Sequence, residues 1–191
     1  LDATKKNGRR CSAAVAHLKP ALSRGNLTLK TGAMVQNIIV DGNRASGIVF
    51  EHRGERHSVE AEKEVILSGG AINSPQTLML SGIGPADHLR AMGIETRLDL
   101  AGVGQNLQDH AAVALQFTCR KSFPMHRVDQ PFNKLMAGAQ WMLTRTGPAS
   151  SNIYEAGGLV RGNDEVDYPN LQYHLGPTGY EYQGEKIKLL Q

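Results

Sequence analysis

Two adjacent glycines, Gly69 and Gly70, follow an apolar run and precede a stretch with helical apolar spacing. Because glycine has no β-carbon, the backbone here can come close to a planar or phosphate-bearing ligand. The first turn of the following helix, near Ala71, would offer unpaired N–H groups to that ligand. The same residues also suit a tight strand-to-helix turn without a ligand, so both interpretations stay open. No G-x-G-x-x-G fingerprint occurs in the chain.

Other reactive residue types are scattered along the chain. Asp109 precedes His110 in a glycine- and amide-rich loop, where the carboxylate could support a ligand site or simply fix the loop. The sequence has no nucleophile elbow. No two histidines share one helix at metal-ligand spacing, so we predict no metal site. We expect five histidines to be exposed: His17, His52, His57, His88 and His126.

The elements around the glycine pair are readable from apolar spacing. Residues 64–68 contain the uninterrupted apolar run Val65-Ile66-Leu67, and this segment is typical of a buried parallel strand ending at the ligand edge of a doubly wound sheet. Ser74 and Pro75 suit the start of a helix, because proline is tolerated in the first turn. The sequence therefore predicts a strand, a glycine turn and a helix over residues 64–84.

A three-stranded meander is predicted before this segment. Strands are expected at residues 33–40, 45–52 and 57–61, with turns at Asp41-Gly42 and Gly54-Glu55. A further strand is expected at residues 26–29. Three short strands are too few to stand alone, so the meander should be an insert on a larger fold.

The character of the sequence changes after His110. We expect strands at residues 111–119, 153–160 and 171–175, and a helix at 131–145. The N-terminal stretch 1–10 is polar and is expected to be loose, and the polar stretch 180–191 is not expected to complete a structural unit. The predicted fold class is α/β, α+β overall, with domains 1–110 and 111–191.

Composition bounds the class of protein. The chain has 191 residues, of which 40% are hydrophobic, and no apolar run could span a bilayer. No secretory signal is visible, and Cys11 and Cys119 are lone thiols, so a reducing compartment is expected. Residues 1–30 hold seven Lys/Arg against one acid. This basic end could bind nucleic acid or anionic lipid, but the apolar helical pattern within it favours a solvated helix face.

Residues 70–84, GAINSPQTLMLSGIG, resemble the second signature of the glucose–methanol–choline (GMC) oxidoreductase family. Residues 102–110, GVGQNLQDH, resemble the loop that follows it in that family. The layout of Asn26-Leu27-Thr28, the meander and the later stretches 154–158 and 169–174 are also similar. The whole chain is most similar to the middle of choline-oxidising members. Thr77 departs from the pattern, which normally has an aliphatic residue there.

The resemblance implies an FAD enzyme that oxidises an alcohol by hydride transfer to the flavin, with a histidine taking the hydroxyl proton. The family's glycine fingerprint and its catalytic histidine match no residue here. We therefore expect an internal segment with no catalytic residue, inactive alone. The domains would be part of the FAD-binding domain, doubly wound with the meander, and part of an antiparallel-sheet substrate domain.

Site residues follow from the resemblance position by position. Val35 matches a position whose backbone lies against the adenine, and Gly69, Gly70 and Ala71 match the turn near the dinucleotide. Tyr154 and His174 match positions lining the substrate pocket of choline-oxidising members. There an aromatic ring attracts the quaternary ammonium, worth about 0.5–2 kcal/mol, and a histidine holds the alcohol oxygen.

The expected partner is a small alcohol such as choline, with an unassigned electron acceptor and no nucleic acid. We expect the parent enzyme to be cytoplasmic or peripherally associated with a membrane. Three alternatives remain open from sequence: a family member acting on another primary alcohol, a non-catalytic module that binds a nucleotide or a partner, and a basic nucleic-acid binder.

Overall fold

The chain alternates short strands with helices, as seen in a computed structural model that describes residues 4–117, 120, 128, 130–154, 156–177, 179–183 and 186–190. The strands, in chain order, are β1 (Lys5–Lys6), β2 (Arg9–Arg10), β3 (Ala33–Asp41), β4 (Arg44–His52), β5 (Glu55–Glu60), β6 (Ile83–Gly84), β7 (Leu98–Asp99), β8 (Ala156–Val160), β9 (Leu171–Leu175), β10 (Gly179–Gln183) and β11 (Lys186–Leu190). The α-helices are α1 (Lys19–Ala21), α2 (Gly70–Leu80), α3 (Ala86–Ala91) and α4 (Pro131–Thr144), with a π-helical turn at Ala14–Leu18 and a 3₁₀ turn at Pro148–Ser150.

These elements form two compact units. The central unit is Thr28–Ala112, and the flanking unit combines Leu1–Leu27 with Val113–Gln191. The α/β class predicted from sequence is confirmed by the mixture of helices with several, mostly antiparallel, sheets.

The meander of the central unit is present as predicted. β3, β4 and β5 form one antiparallel sheet in that order, so β3 is an edge strand. Gly42 and Gly54 both have positive φ, which tight hairpin turns require. The predicted strand at residues 26–29 is wrong, because residues 27–31 have no regular structure and no strand pairs with them.

The glycine-turn segment differs from the prediction at both ends. Residues 64–68 pair with no strand, and Ile66 is 77% exposed. Helix α2 begins at Gly70, so Pro75 lies inside the helix and the predicted start at Ser74-Pro75 is wrong. Gly70 has φ of +88°, which lets the chain turn directly into the helix at Ala71. Pro75 then removes a single donor, the one that would bond the Ala71 carbonyl.

A second small core lies after α2. The Leu89 side chain of α3 is fully buried, and Met79 packs where Gly84 has no side chain. The backbone N–H groups of Arg97 and Leu98 donate to the Gly82 carbonyl at 2.8 and 3.1 Å. These bonds begin the parallel pairing of β6 with β7.

The N-terminal stretch of the flanking unit is more ordered than predicted. β1 and β2 pair around Asn7 and Gly8, which both have positive φ, as a two-residue hairpin turn requires. The Trp141 indole N–H of helix α4 donates to the Gly8 carbonyl at 2.7 Å. This distant contact holds the hairpin, so the prediction of a loose segment over residues 1–10 is wrong for its described part.

The rest of the flanking unit is partly as predicted. The helix expected at 131–145 and the strand at 171–175 are confirmed, and β8 covers the second half of the strand expected at 153–160. Residues 111–117 form no strand, and 118–119 lie outside the described residues. The polar C-terminal stretch contains the antiparallel pair β10–β11.

Candidate functional site

The glycine turn presents an open backbone surface at the start of α2. A β-carbon on Gly70 would have no heavy atom within 4 Å, so the space beside this residue is free. A β-carbon on Gly69 would lie 3.2 Å from the Asn73 β-carbon and from the Ser74 nitrogen. Gly69 therefore serves the tight turn, and Gly70 leaves room for a ligand.

The chemistry of this turn suits an anionic group. The first N–H groups of an α-helix have no partner within the helix, and the helix dipole makes this end positive. Ala71, in the first turn of α2, is exposed. A pyrophosphate could be held here by backbone donors, and a planar ring could approach the glycine backbone.

Val35 lies in the same unit as the glycine turn. It is in β3, paired with Phe50 of β4, and helix α2 packs against β3. The side chain of Val35 is 38% exposed, so the strand is accessible at this point. Val35 thus lies on β3, and Gly69, Gly70 and Ala71 lie at the start of α2, which packs against that strand.

Ser81 is a residue that the sequence interpretation missed as a separate feature. Its hydroxyl donates to the Thr77 carbonyl at 2.6 Å and accepts the backbone N–H of Ile38 at 2.8 Å. It borders a cavity of about 250 Å³ with Val40, Leu80 and Arg97. The sequence does offer one sign of this role: Ser81 lies between an apolar helix and Gly82. A polar side chain that is buried there needs a hydrogen-bond partner.

The two predicted substrate-binding residues are in contact. The rings of Tyr154 and His174 have centroids 5.4 Å apart and are tilted by 57°. His174 is in β9, where its cross-strand partner is Gly157, so no side chain stands opposite it. Tyr154, just before β8, is 50% exposed and presents an accessible aromatic surface. Glu155, the next residue, lies outside the described residues.

One acid and two histidines noted in the sequence interact with nearby residues. Asp109 accepts the backbone N–H of its neighbour His110 at 2.7 Å, a local bond that is compatible with a loop-fixing role. His52 and His57 were predicted to be exposed, and this is wrong: both are half-buried, and His57 stacks on Phe50 at 5.4 Å. Their strands put them on the same face as that buried ring.

Two kinds of feature are absent from the described residues. Within these ranges, no three His, Cys, Asp or Glu side chains are grouped to hold a metal ion. No helix in the same ranges has the length and apolarity needed to cross a membrane. His17 and His88 are exposed, and His126 and Cys119 lie outside the described residues.

The sequence matches a family model described as GMC oxidoreductase over residues 2–112. The chain is matched over more than half of its length, a range that includes the meander and the glycine turn. It belongs to the GMC oxidoreductase family.

Two similar curated relatives share one name. The chain is 48% identical over 186 residues to the oxygen-dependent choline dehydrogenase of Staphylococcus xylosus, covering 97% of this chain and 33% of that protein. It is 46% identical to the protein of the same name in Staphylococcus aureus strain MSSA476, covering 97% and 32%. The chain therefore spans about a third of the length of these relatives.

Solved structures are similar at lower identity. An FAD-dependent oxidoreductase from Chaetomium thermophilum has a TM-score of 0.71 at 26% identity, covering 81% of this chain and 28% of that one. A fungal aryl-alcohol oxidase has a TM-score of 0.70 at 28% identity, covering 81% and 27%.

Proposed function

We propose that the chain is an internal segment of an FAD-dependent alcohol oxidoreductase whose substrate is choline. The observation that carries this proposal is the 48% identity, over nearly the whole chain, to a protein named oxygen-dependent choline dehydrogenase. The solved oxidoreductases with similar folds support the flavin, since one is named as FAD-dependent.

In this proposal the central unit forms part of the FAD site. The N–H groups at the start of α2 and the open backbone at Gly70 hold the pyrophosphate. The backbone of Val35 lies against the adenine. When bound, FAD supplies the acceptor for the hydride that leaves the alcohol carbon. The proposed division from sequence puts residues 1–110 in the FAD-binding domain and 111–191 in the substrate domain, although residues 1–27 are grouped with the flanking unit.

The flanking unit contributes to choline binding in this proposal. The exposed ring of Tyr154 attracts the quaternary ammonium through its negative face. His174, in contact with that ring, holds the alcohol oxygen by a hydrogen bond. The contact between the two rings fixes their mutual position, so that cation and hydroxyl are bound at a set separation.

The test is the oxidation of choline by the full-length protein that contains these residues. The protein is purified with FAD, its flavin absorbance is followed on adding choline without oxygen, and an uncharged isostere with carbon in place of nitrogen is compared. Bleaching of the flavin by choline, at much lower concentration than by the isostere, is expected. A protein without flavin, or one that bleaches equally with both alcohols, would contradict the proposal.

A further inference from the structure

Ser81 accepts a hydrogen bond from a buried backbone N–H at the edge of the meander. Ile38 lies in the edge strand β3 and is 7% exposed, so water does not reach its backbone. The register of β3 shifts between Val35 and Asn37 and again between Ile39 and Val40. Between these two irregularities, the Ile38 N–H donates to the Ser81 hydroxyl and not to a carbonyl of a neighbouring strand. A buried N–H without this partner would be unsatisfied.

The same hydroxyl is anchored to helix α2. It donates its proton to the Thr77 carbonyl, one turn earlier, while Ser81 itself is 4% exposed. The hydroxyl therefore uses its donor and an acceptor site at once and connects the C-terminal end of α2 to β3. Among the described residues, Ser81 is the only one whose side chain forms a hydrogen bond between the end of α2 and β3.

Both connected elements carry residues that we propose for the FAD site. Val35 lies in β3 just before the first irregularity, and Gly70 and Ala71 lie at the opposite end of α2 from Ser81. An 11-residue helix is about 16 Å long. A small rotation of α2 at its Ser81 end therefore moves the glycine turn relative to Val35 by a large fraction of an ångström or more.

We infer that Ser81 is a positioning residue for the dinucleotide. By tying Ile38 to Thr77, it holds the adenine strand and the glycine turn in the one relative placement that a single FAD molecule can span. This inference rests on the proposed function, because it needs FAD to lie against both elements. It assigns no chemical step to Ser81.

The test measures FAD affinity in the full-length enzyme. Ser81→Ala removes the hydroxyl, Ser81→Thr keeps it, and Thr77→Val removes the neighbouring hydroxyl, which bonds only the Asn73 carbonyl within α2. Leu89→Ala destabilises the same unit elsewhere. The readouts are the FAD dissociation constant, from flavin fluorescence, and hydrogen exchange in the peptide that contains Ile38.

Ser81→Ala is expected to weaken FAD binding about tenfold and to speed exchange at Ile38. Ser81→Thr and Thr77→Val are expected to stay within about twofold of the unsubstituted enzyme. If Leu89→Ala lowers the melting temperature as much and weakens FAD binding equally, the effect is general destabilisation and the inference is overturned. Unchanged affinity in Ser81→Ala overturns it as well.

If Ser81→Ala does not fold, Ser81→Cys decides, because a thiol fills the same place and forms only weak hydrogen bonds. Weakened FAD binding in a folded Ser81→Cys protein supports the inference, and unchanged binding overturns it. An unsubstituted enzyme that binds no FAD would instead contradict the proposed function.

Discussion

The rings of Tyr154 and His174 lie with their centroids 5.4 Å apart, where the chain enters β8 beside the C-terminal end of β9. Their strands are antiparallel, and the register sets His174 opposite Gly157. An exposed ring beside an imidazole gives the flanking unit one surface for a cation and one group for a hydroxyl. The two roles can be separated experimentally.

Tyr154→Ala in the full-length enzyme should raise KM for choline about thirtyfold, which corresponds to about 2 kcal/mol of lost cation–π attraction. The uncharged isostere should lose much less, because it gains only apolar contact from the ring. Steady-state kinetics with both alcohols checks this. Tyr173→Ala is the control, since alternation along β9 puts Tyr173 on the face opposite His174. An equal rise in KM for both alcohols in Tyr154→Ala would show that Tyr154 contributes packing alone and no attraction to the cation.

His174→Ala should lower kcat as well as raise KM. A group bonded to the alcohol oxygen acts where charge develops during the reaction, so its loss is felt in the transition state. His174→Gln, which keeps a donor and an acceptor, should recover part of kcat. The exposed His88 provides a control histidine in α3. A His174→Ala enzyme with altered KM and unchanged kcat would argue against contact with the reacting oxygen.

Gly82→Ala should destabilise the protein more than Gly93→Ala. Both glycines have positive φ, which costs an alanine roughly 1–2 kcal/mol. A β-carbon on Gly82 would also lie 2.6 Å from the Glu95 carbonyl oxygen, whereas one on Gly93 meets nothing within 4 Å. The extra collision should add about 1–3 kcal/mol. Urea denaturation of the two variants measures the difference, and equal midpoints would show that the backbone near Glu95 relaxes.

The isolated 191-residue chain should not oxidise choline, even with added FAD and an artificial electron acceptor. From the family resemblance, we expect none of its residues to act as the catalytic histidine or to form the glycine fingerprint. Choline-dependent reduction of a dye, compared with the full-length enzyme under the same conditions, gives the readout. Turnover by the isolated chain that disappears in His174→Ala would show that the chain carries its own catalyst.

The parts of the fold that the sequence predicted depend on local signals. Gly42 and Gly54 occupy positive-φ turn positions, so the meander between them could be read from neighbouring residues. The N-terminal hairpin was missed although Asn7-Gly8 is a strong turn pair, because strands of two basic residues show no apolar alternation. The contact that holds it comes from Trp141, 133 positions away.

The errors at α2 and the omission of Ser81 have related causes. Proline at a helix start is a preference, and the adjacent glycines made an earlier start possible here. The bond from Ile38 to Ser81 joins residues 43 positions apart, and no periodicity reports such a contact. The family resemblance identified both Tyr154 and His174. Their contact became visible only in the structure, where the register of β8 and β9 brings the two rings together.

Trp141 is the single tryptophan of the chain, and its environment makes it an optical probe. The guanidinium of Arg145 lies 4.3 Å from the indole ring and that of Arg9 lies 5.8 Å away, while the indole N–H is bonded to Gly8. Detachment of the N-terminal hairpin exposes this indole to water, which shifts its emission to longer wavelength. The central unit contains no tryptophan, so its unfolding does not change the tryptophan emission. Circular dichroism detects its unfolding through the loss of secondary structure. Melting curves recorded by both methods therefore coincide only if the two units unfold together.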